Sequence, residues 1–119
     1  MNPAREFVRA HTSKSFRKAV LDGKFEWSLY RLHRSELRKV GPLLQRRDKK
    51  LNLGCGPNPK LGWINIDLFD AHADLRLDLR ETWPFPDASI SHVYSEHVFE
   101  HFEIHREVAH FLSEAHRVL

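Results

Sequence analysis

The stretch Leu51-Asn52-Leu53-Gly54-Cys55-Gly56, followed shortly by Gly62-Trp63-Ile64-Asn65-Ile66-Asp67, constrains this chain more than any other feature. A short apolar run ends in Gly-x-Gly, and a second apolar run ends in a carboxylate. In an open α/β sheet this pairing builds a nucleoside pocket. The glycines let a ligand approach the backbone at the end of one strand, and the acid at the end of its neighbour accepts hydrogen bonds from a ribose diol.

The rest of the chain is consistent with a small α/β domain. At 119 residues there is room for one domain with a single core. The longest apolar runs are far too short to cross a bilayer, and the N-terminus lacks the apolar core of a signal peptide, so a cytoplasmic location is expected. The single cysteine, Cys55, excludes an internal disulfide.

Charge divides the chain. Residues 1–50 hold 14 Lys/Arg against 5 Asp/Glu, and residues 51–119 hold 5 against 11. The expected organisation is a basic helical extension over 1–48 and an α/β domain over 49–119. In the extension, Phe7, Val8, Phe16, Val20 and Leu21 suggest a helix over 4–21 stopped at Asp22-Gly23. Trp27, Tyr30 and Leu37 suggest a second helix over 26–40, ended by Gly41-Pro42. In the second part the pattern predicts four strands, at Leu51–Leu53, Trp63–Leu68, Asp74–Leu79 and Ile90–Tyr94. A final helix carries Val108, Phe111, Leu112, Ala115 and Leu119 on its apolar stripe.

Taken together, LNLGCG, INID, DLRETWPFPDASISHVYSEHVFEHF and SEAHRVL, in this order, resemble a class I S-adenosylmethionine-dependent methyltransferase of the type 11 kind. The resemblance covers about residues 50–119. It implies a Rossmann-like, doubly wound parallel sheet, incomplete at about four strands, preceded by the N-terminal helical segment. It also implies S-adenosylmethionine as cofactor and an in-line displacement at its sulfonium methyl, with an unidentified methyl acceptor. Gly54, Cys55 and Gly56 would face the methionine part of the donor and Asp67 would take the ribose hydroxyls. Asp78 with the Leu79 backbone would read adenine, and Ser95 and Glu96 would line the floor beneath the sulfonium. His97 is the nearest candidate for a general base, the role imidazoles commonly serve.

Three features depart from the family pattern. Only eight residues run from Cys55 to Gly62, where a helix is usual, so one sheet face is left bare; Trp27 and Tyr30 are expected to cover it. Ser91 stands where an Asp is common. The sequence ends before a fifth strand, which suggests a fragment and an unpaired edge open to self-association.

Other readings are weaker. His97-Val98-Phe99-Glu100-His101, with His105 one turn on, spells an H-x-x-E-H zinc pattern, but a third ligand from downstream is wanting, and no metal is expected. A dinucleotide site needs a third glycine that Pro57-Asn58-Pro59 does not supply. The non-catalytic alternative is a truncated binding module whose basic residues 1–50 hold nucleic acid or an anionic membrane surface.

Overall fold

The computed structural model describes residues 2–119, although the side chain of Val8, one of the expected helix anchors, lies outside the described part. The chain divides into two compact units, Met1–Arg31 and Leu32–Leu119. Residues 32–48 thus go with the α/β part.

In the first unit α1 spans Pro3–His11, with Asn2 capping it by accepting the Ala4 N–H. The break falls at Thr12-Ser13, where the Ser13 hydroxyl accepts the Phe16 N–H (3.0 Å) and opens α2, Lys14–Glu36. The stop expected at Asp22-Gly23 is not used. A glycine inside a helix costs only about 1 kcal/mol, and α2 runs straight through it. Gly41-Pro42 likewise does not end the helical segment. After a 3-10 turn at Leu37–Lys39, both residues enter α3, Val40–Leu44, where proline sits in the first turn and has no helical N–H bond to lose.

The second unit is built on a three-stranded parallel sheet in the order β2-β1-β3: β1 is Lys50–Leu53, β2 Ile64–Ile66 and β3 His92–Ser95. The expected strand at Asp74–Leu79 is reduced to one parallel bridge, Ile66 to Leu75. Leu75 thus pairs with β2 on the edge away from β1, so the spatial order of the four expected segments is still that of a doubly wound fold. The backbone N–H groups of residues 76 and 78 turn away from the sheet. They bond to the Glu36 carboxylate (2.9 Å) and to His33 Nδ1 (3.1 Å).

In register, Leu51 pairs with Ile64 and Val93, and Leu53 with Ile66 and Ser95. Successive side chains alternate between faces, so Leu51, Leu53, Ile64 and Ile66 share one face. They join Val40, Leu75, Leu77, Trp83, Phe85, Ile90, Phe111 and Val118 in a single buried cluster. The final helix, α4 (Glu107–Val118), buries Phe111, Glu114 and Val118, whereas Leu112 and Leu119 of the expected stripe are exposed.

The opposite face carries Asn52, Asn65, Trp63 and Tyr94. No helix lies between β1 and β2. Trp27 and Tyr30, expected to cover this face, belong to the first unit, where they are 61% and 44% exposed. Within the second unit the face is closed by its own polar groups. Asn52 Nδ2 donates to Asn65 Oδ1 (2.9 Å), which also accepts the Lys60 N–H (2.7 Å), while Asn65 Nδ2 reaches the Lys60 and Trp63 carbonyls and Asp74. The crossover loop is thereby folded back along the strands. Lys60 and Lys50 complete the layer over the rings of Tyr94 (4.4 Å) and Trp63 (5.6 Å).

Candidate functional site at the carboxyl ends of the strands

Because β1, β2 and β3 are parallel and level in register, their carboxyl ends present Gly54, Asp67 and Glu96 side by side along one edge of the sheet. β1 is central. The chain leaves it to β2 on one side and enters β3 on the other, which makes this edge the topological switch point where open α/β sheets bind ligands.

The turn after β1 is tied directly to the end of β2. Gly54 and Cys55 N–H both donate to the Ile66 carbonyl (2.8 and 3.1 Å), and the Gly56 N–H donates to Asp67 Oδ2 (3.0 Å). Asp67 Oδ1 accepts the Phe69 and Asp70 N–H groups (2.9 and 3.1 Å) in an Asx turn. A carboxylate offers about four lone-pair positions. Three are engaged, and the one remaining lies on the Gly56 side.

The two glycines of the motif do different work. Both have positive φ, +71° at Gly54 and +51° at Gly56. A β-carbon on Gly54 would lie 2.3 Å from Cγ2 of Val98, so Gly54 is needed for the loop after β3 to close over it. A β-carbon on Gly56 would meet nothing within 4 Å. The open cradle is therefore at Gly56, and Gly54 is the packing contact that joins the two loops. A lone Gly-x-Gly does not say which glycine plays which part, and nothing in the sequence marks Val98.

Cys55 is buried, and burial together with the nearby carboxylates of Asp67, Asp70 and Asp74 pushes its thiol up to about 11. It is a small buried group and not a nucleophile at neutral pH.

Asp78 is buried, and its carboxylate is gripped by Arg80 (Nη2 to Oδ2 2.7 Å, Nε to Oδ1 3.0 Å). Burial would raise its pKa, but the Arg80 hydrogen bonds and charge outweigh this and hold the group below the ordinary carboxylate value. Behind it, the Asp78 N–H donates to His33 Nδ1. The buried imidazole must therefore be neutral, with its proton on Nε2, and burial lowers its pKa against the pull of Glu81 and Asp78. The Leu79 carbonyl accepts the Trp83 indole N–H (3.1 Å). In this arrangement Asp78 fixes the 78–80 turn and its side chain is occupied. His33, Glu36 and Arg80, which hold that turn, were not among the expected site residues.

Ser95, the last residue of β3, is half-buried, and Glu96 just beyond it is exposed, accepting the Tyr94 hydroxyl (2.6 Å). His97 adopts φ +56°, a left-handed conformation that a non-glycine residue seldom takes. This turns its exposed imidazole between Glu96 (3.5 Å) and Glu100 (3.6 Å), with His101 near Glu100 (3.8 Å). Among the described residues, no group of three or more His, Cys, Asp or Glu is placed to hold a metal ion. No helix of the described residues is long and apolar enough to cross a membrane.

The 83–87 loop is braced by α4. Arg117 donates to the carbonyls of Trp83 (3.0 Å) and Phe85 (2.8 Å) and to Asp87 (2.9 Å), and it pairs with Glu114, which in turn accepts the Trp83 N–H (2.7 Å). The proline-rich 83–87 loop is thereby clamped to the last helix.

Comparison with known proteins finds a match to a family model. Residues 65–119, from the end of β2 through α4, match the model of a family described as a methyltransferase domain. The turn at Gly54–Gly56 precedes the matched residues. No curated protein and no solved structure matches the chain.

Proposed function

We propose that this chain, which carries a class I S-adenosylmethionine-dependent methyltransferase-like domain, holds S-adenosylmethionine across the tips of β1, β2 and β3 and presents it to a methyl acceptor. The observation that carries the reading is the open Gly56 cradle bonded to Asp67 at the switch point of a parallel sheet. Bound there, the cofactor supplies an electrophilic methyl group on a sulfonium, ready for in-line displacement by the acceptor.

The chain's own part is positioning and exclusion of water. Asp67 takes ribose hydroxyls with its remaining lone pair, and with a second one as Gly56 N–H is released towards the ligand. Gly54, Cys55 and Gly56 give the methionine part a backbone surface free of side chains. Leu79 offers the adenine its backbone edge, held in place by Asp78 and its Arg80 clamp. Ser95 and Glu96 form the floor on the β3 side. His97, exposed and flanked by two carboxylates, would accept a proton from a hydroxyl or amine acceptor.

Calorimetric titration of the chain with S-adenosylmethionine tests the donor site. Asp67→Ala is expected to weaken binding roughly tenfold to a hundredfold, since charge-assisted hydrogen bonds are lost. Gly56→Ala is expected to weaken it as well, because its β-carbon would stand in the open cradle; the left-handed φ of +51° should also cost the fold about 1–2 kcal/mol, read separately from denaturant midpoints. No heat with the unaltered chain, or equal affinity for both variants, overturns the assignment.

A further inference from the structure

We infer that the first unit, residues 2–31, docks on an anionic membrane surface through an aromatic stripe of α2 and the groove between α1 and α2. Along α2, Phe16, Val20, Gly23, Trp27 and Tyr30 recur at alternating steps of four and three, so they lie on one side of the helix. A stripe of this kind ordinarily packs into a core. Here Phe16, Val20, Trp27 and Tyr30 are 58%, 42%, 61% and 44% exposed, and Leu29 is the only side chain of this unit buried among those described. Trp27 and Tyr30 stack with ring centroids 5.6 Å apart, giving a stiff amphipathic pair of the type that favours a membrane interface.

Charge identifies the occupant. Arg17, Lys24 and Arg31 each follow a stripe residue by one position and so form a cationic row along its flank. Where the stripe meets α1, a groove of about 510 Å³ has an apolar floor of Phe16, Val20 and Leu21 and a rim that includes Arg5, Arg9 and Lys24. Among the described residues, no carboxylate lines it. Arg17 also bonds to the Arg9 and Thr12 carbonyls, which fixes α1 against α2 and keeps the groove in shape. Apolar floor and cationic rim together match an acyl chain below an anionic headgroup. Nucleic acid would use the cations but leave Val20 and Leu21 without a partner. A second copy would bring like-charged rows together.

The test is co-sedimentation of the full chain with vesicles of phosphatidylcholine alone and of phosphatidylcholine mixed equally with phosphatidylglycerol. Binding is expected only to the anionic vesicles and should weaken with added salt. The double variant Lys24→Gln/Arg31→Gln is expected to bind about thirtyfold more weakly, at the usual contribution of a cation near such a surface. Trp27→Ala should weaken binding roughly tenfold. Circular dichroism of these exposed-site variants should be unchanged. No binding at low salt overturns the proposal. So does equal binding by the variants, capture of single-stranded RNA in preference to vesicles, or self-association that accounts for the exposed stripe without lipid.

Discussion

The two faces of the sheet solve the same problem with different chemistry. On one, Leu51, Leu53, Ile64 and Ile66 are fully or almost fully buried under α4, Trp83 and Phe85. On the other, Asn52 and Asn65 are just as deeply buried, at 3% and 6% exposed, yet their cover is a short loop bound by hydrogen bonds. The apolar face gains from area removed from water, so its stability is spread over many contacts. The polar face gains little net per hydrogen bond and loses heavily when one partner is missing. A crossover too short for a helix is thus compatible with a parallel pair, provided the layer beneath the loop is a satisfied polar network. Among the described residues, no buried side-chain nitrogen or oxygen lacks a partner.

Truncating the apolar face should have the largest effect. Leu53→Ala removes a side chain of zero exposure and is expected to cost about 2–5 kcal/mol, read from denaturant midpoints. A loss below about 1 kcal/mol would mean that the cluster beneath the sheet is loosely packed.

Asn65→Ala should cost less, about 1–3 kcal/mol. Its signature would be different, because it leaves Asn52 and the Lys60 backbone without their shared partner, while Asp74 keeps the backbone N–H of residue 65. Faster amide exchange at Lys60 and proteolysis within residues 57–62 are expected, with little change in the core. Core-wide loosening would instead show that the two faces are not separable.

The smallest effects come from titration. Glu36, Asp78 and Glu114 all have pKa values lowered in the folded chain. In Glu36 and Asp78 burial is outweighed by hydrogen bonds and cationic partners, and in Glu114 the Arg117 bond dominates. Their contribution is present above the ordinary carboxylate range and is lost as the pH falls through their lowered folded values. His33 acts in the same direction but earlier. Its folded pKa lies below 6.5, so the unfolded chain takes up the proton first and stability declines as pH drops below that value. A melting temperature that falls in two steps on acidification, the milder one removed by His33→Gln, would establish this order.

Much of the α/β part was legible in sequence. The repeated apolar-Asn-apolar pattern of Leu51-Asn52-Leu53 and Ile64-Asn65-Ile66 marks two strands with one apolar and one polar face, and the Gly-x-Gly and Asp that follow mark their ends. The basic segment is less legible, because Gly23 and Gly41-Pro42 look like breakers although their cost is small enough for a long helix and a first helical turn to absorb. The Asp74–Leu79 alternation suggested a strand, but distant acceptors at His33 and Glu36 claim its backbone donors. Asp78 shows the same limit: its acidic side chain is visible in sequence, whereas its occupation by Arg80 depends on how the turn folds.

The brevity of the β1–β2 crossover also bears on the order of assembly. Leu51 and Ile64 are 13 residues apart, whereas Leu51 and Val93 are 42 apart. Closing the shorter loop is less costly in chain entropy by about 1 kcal/mol. The half of the edge holding Gly56 and Asp67 is therefore set to arise from a local collapse, ahead of the long-range arrival of Ser95 and His97 that finishes it.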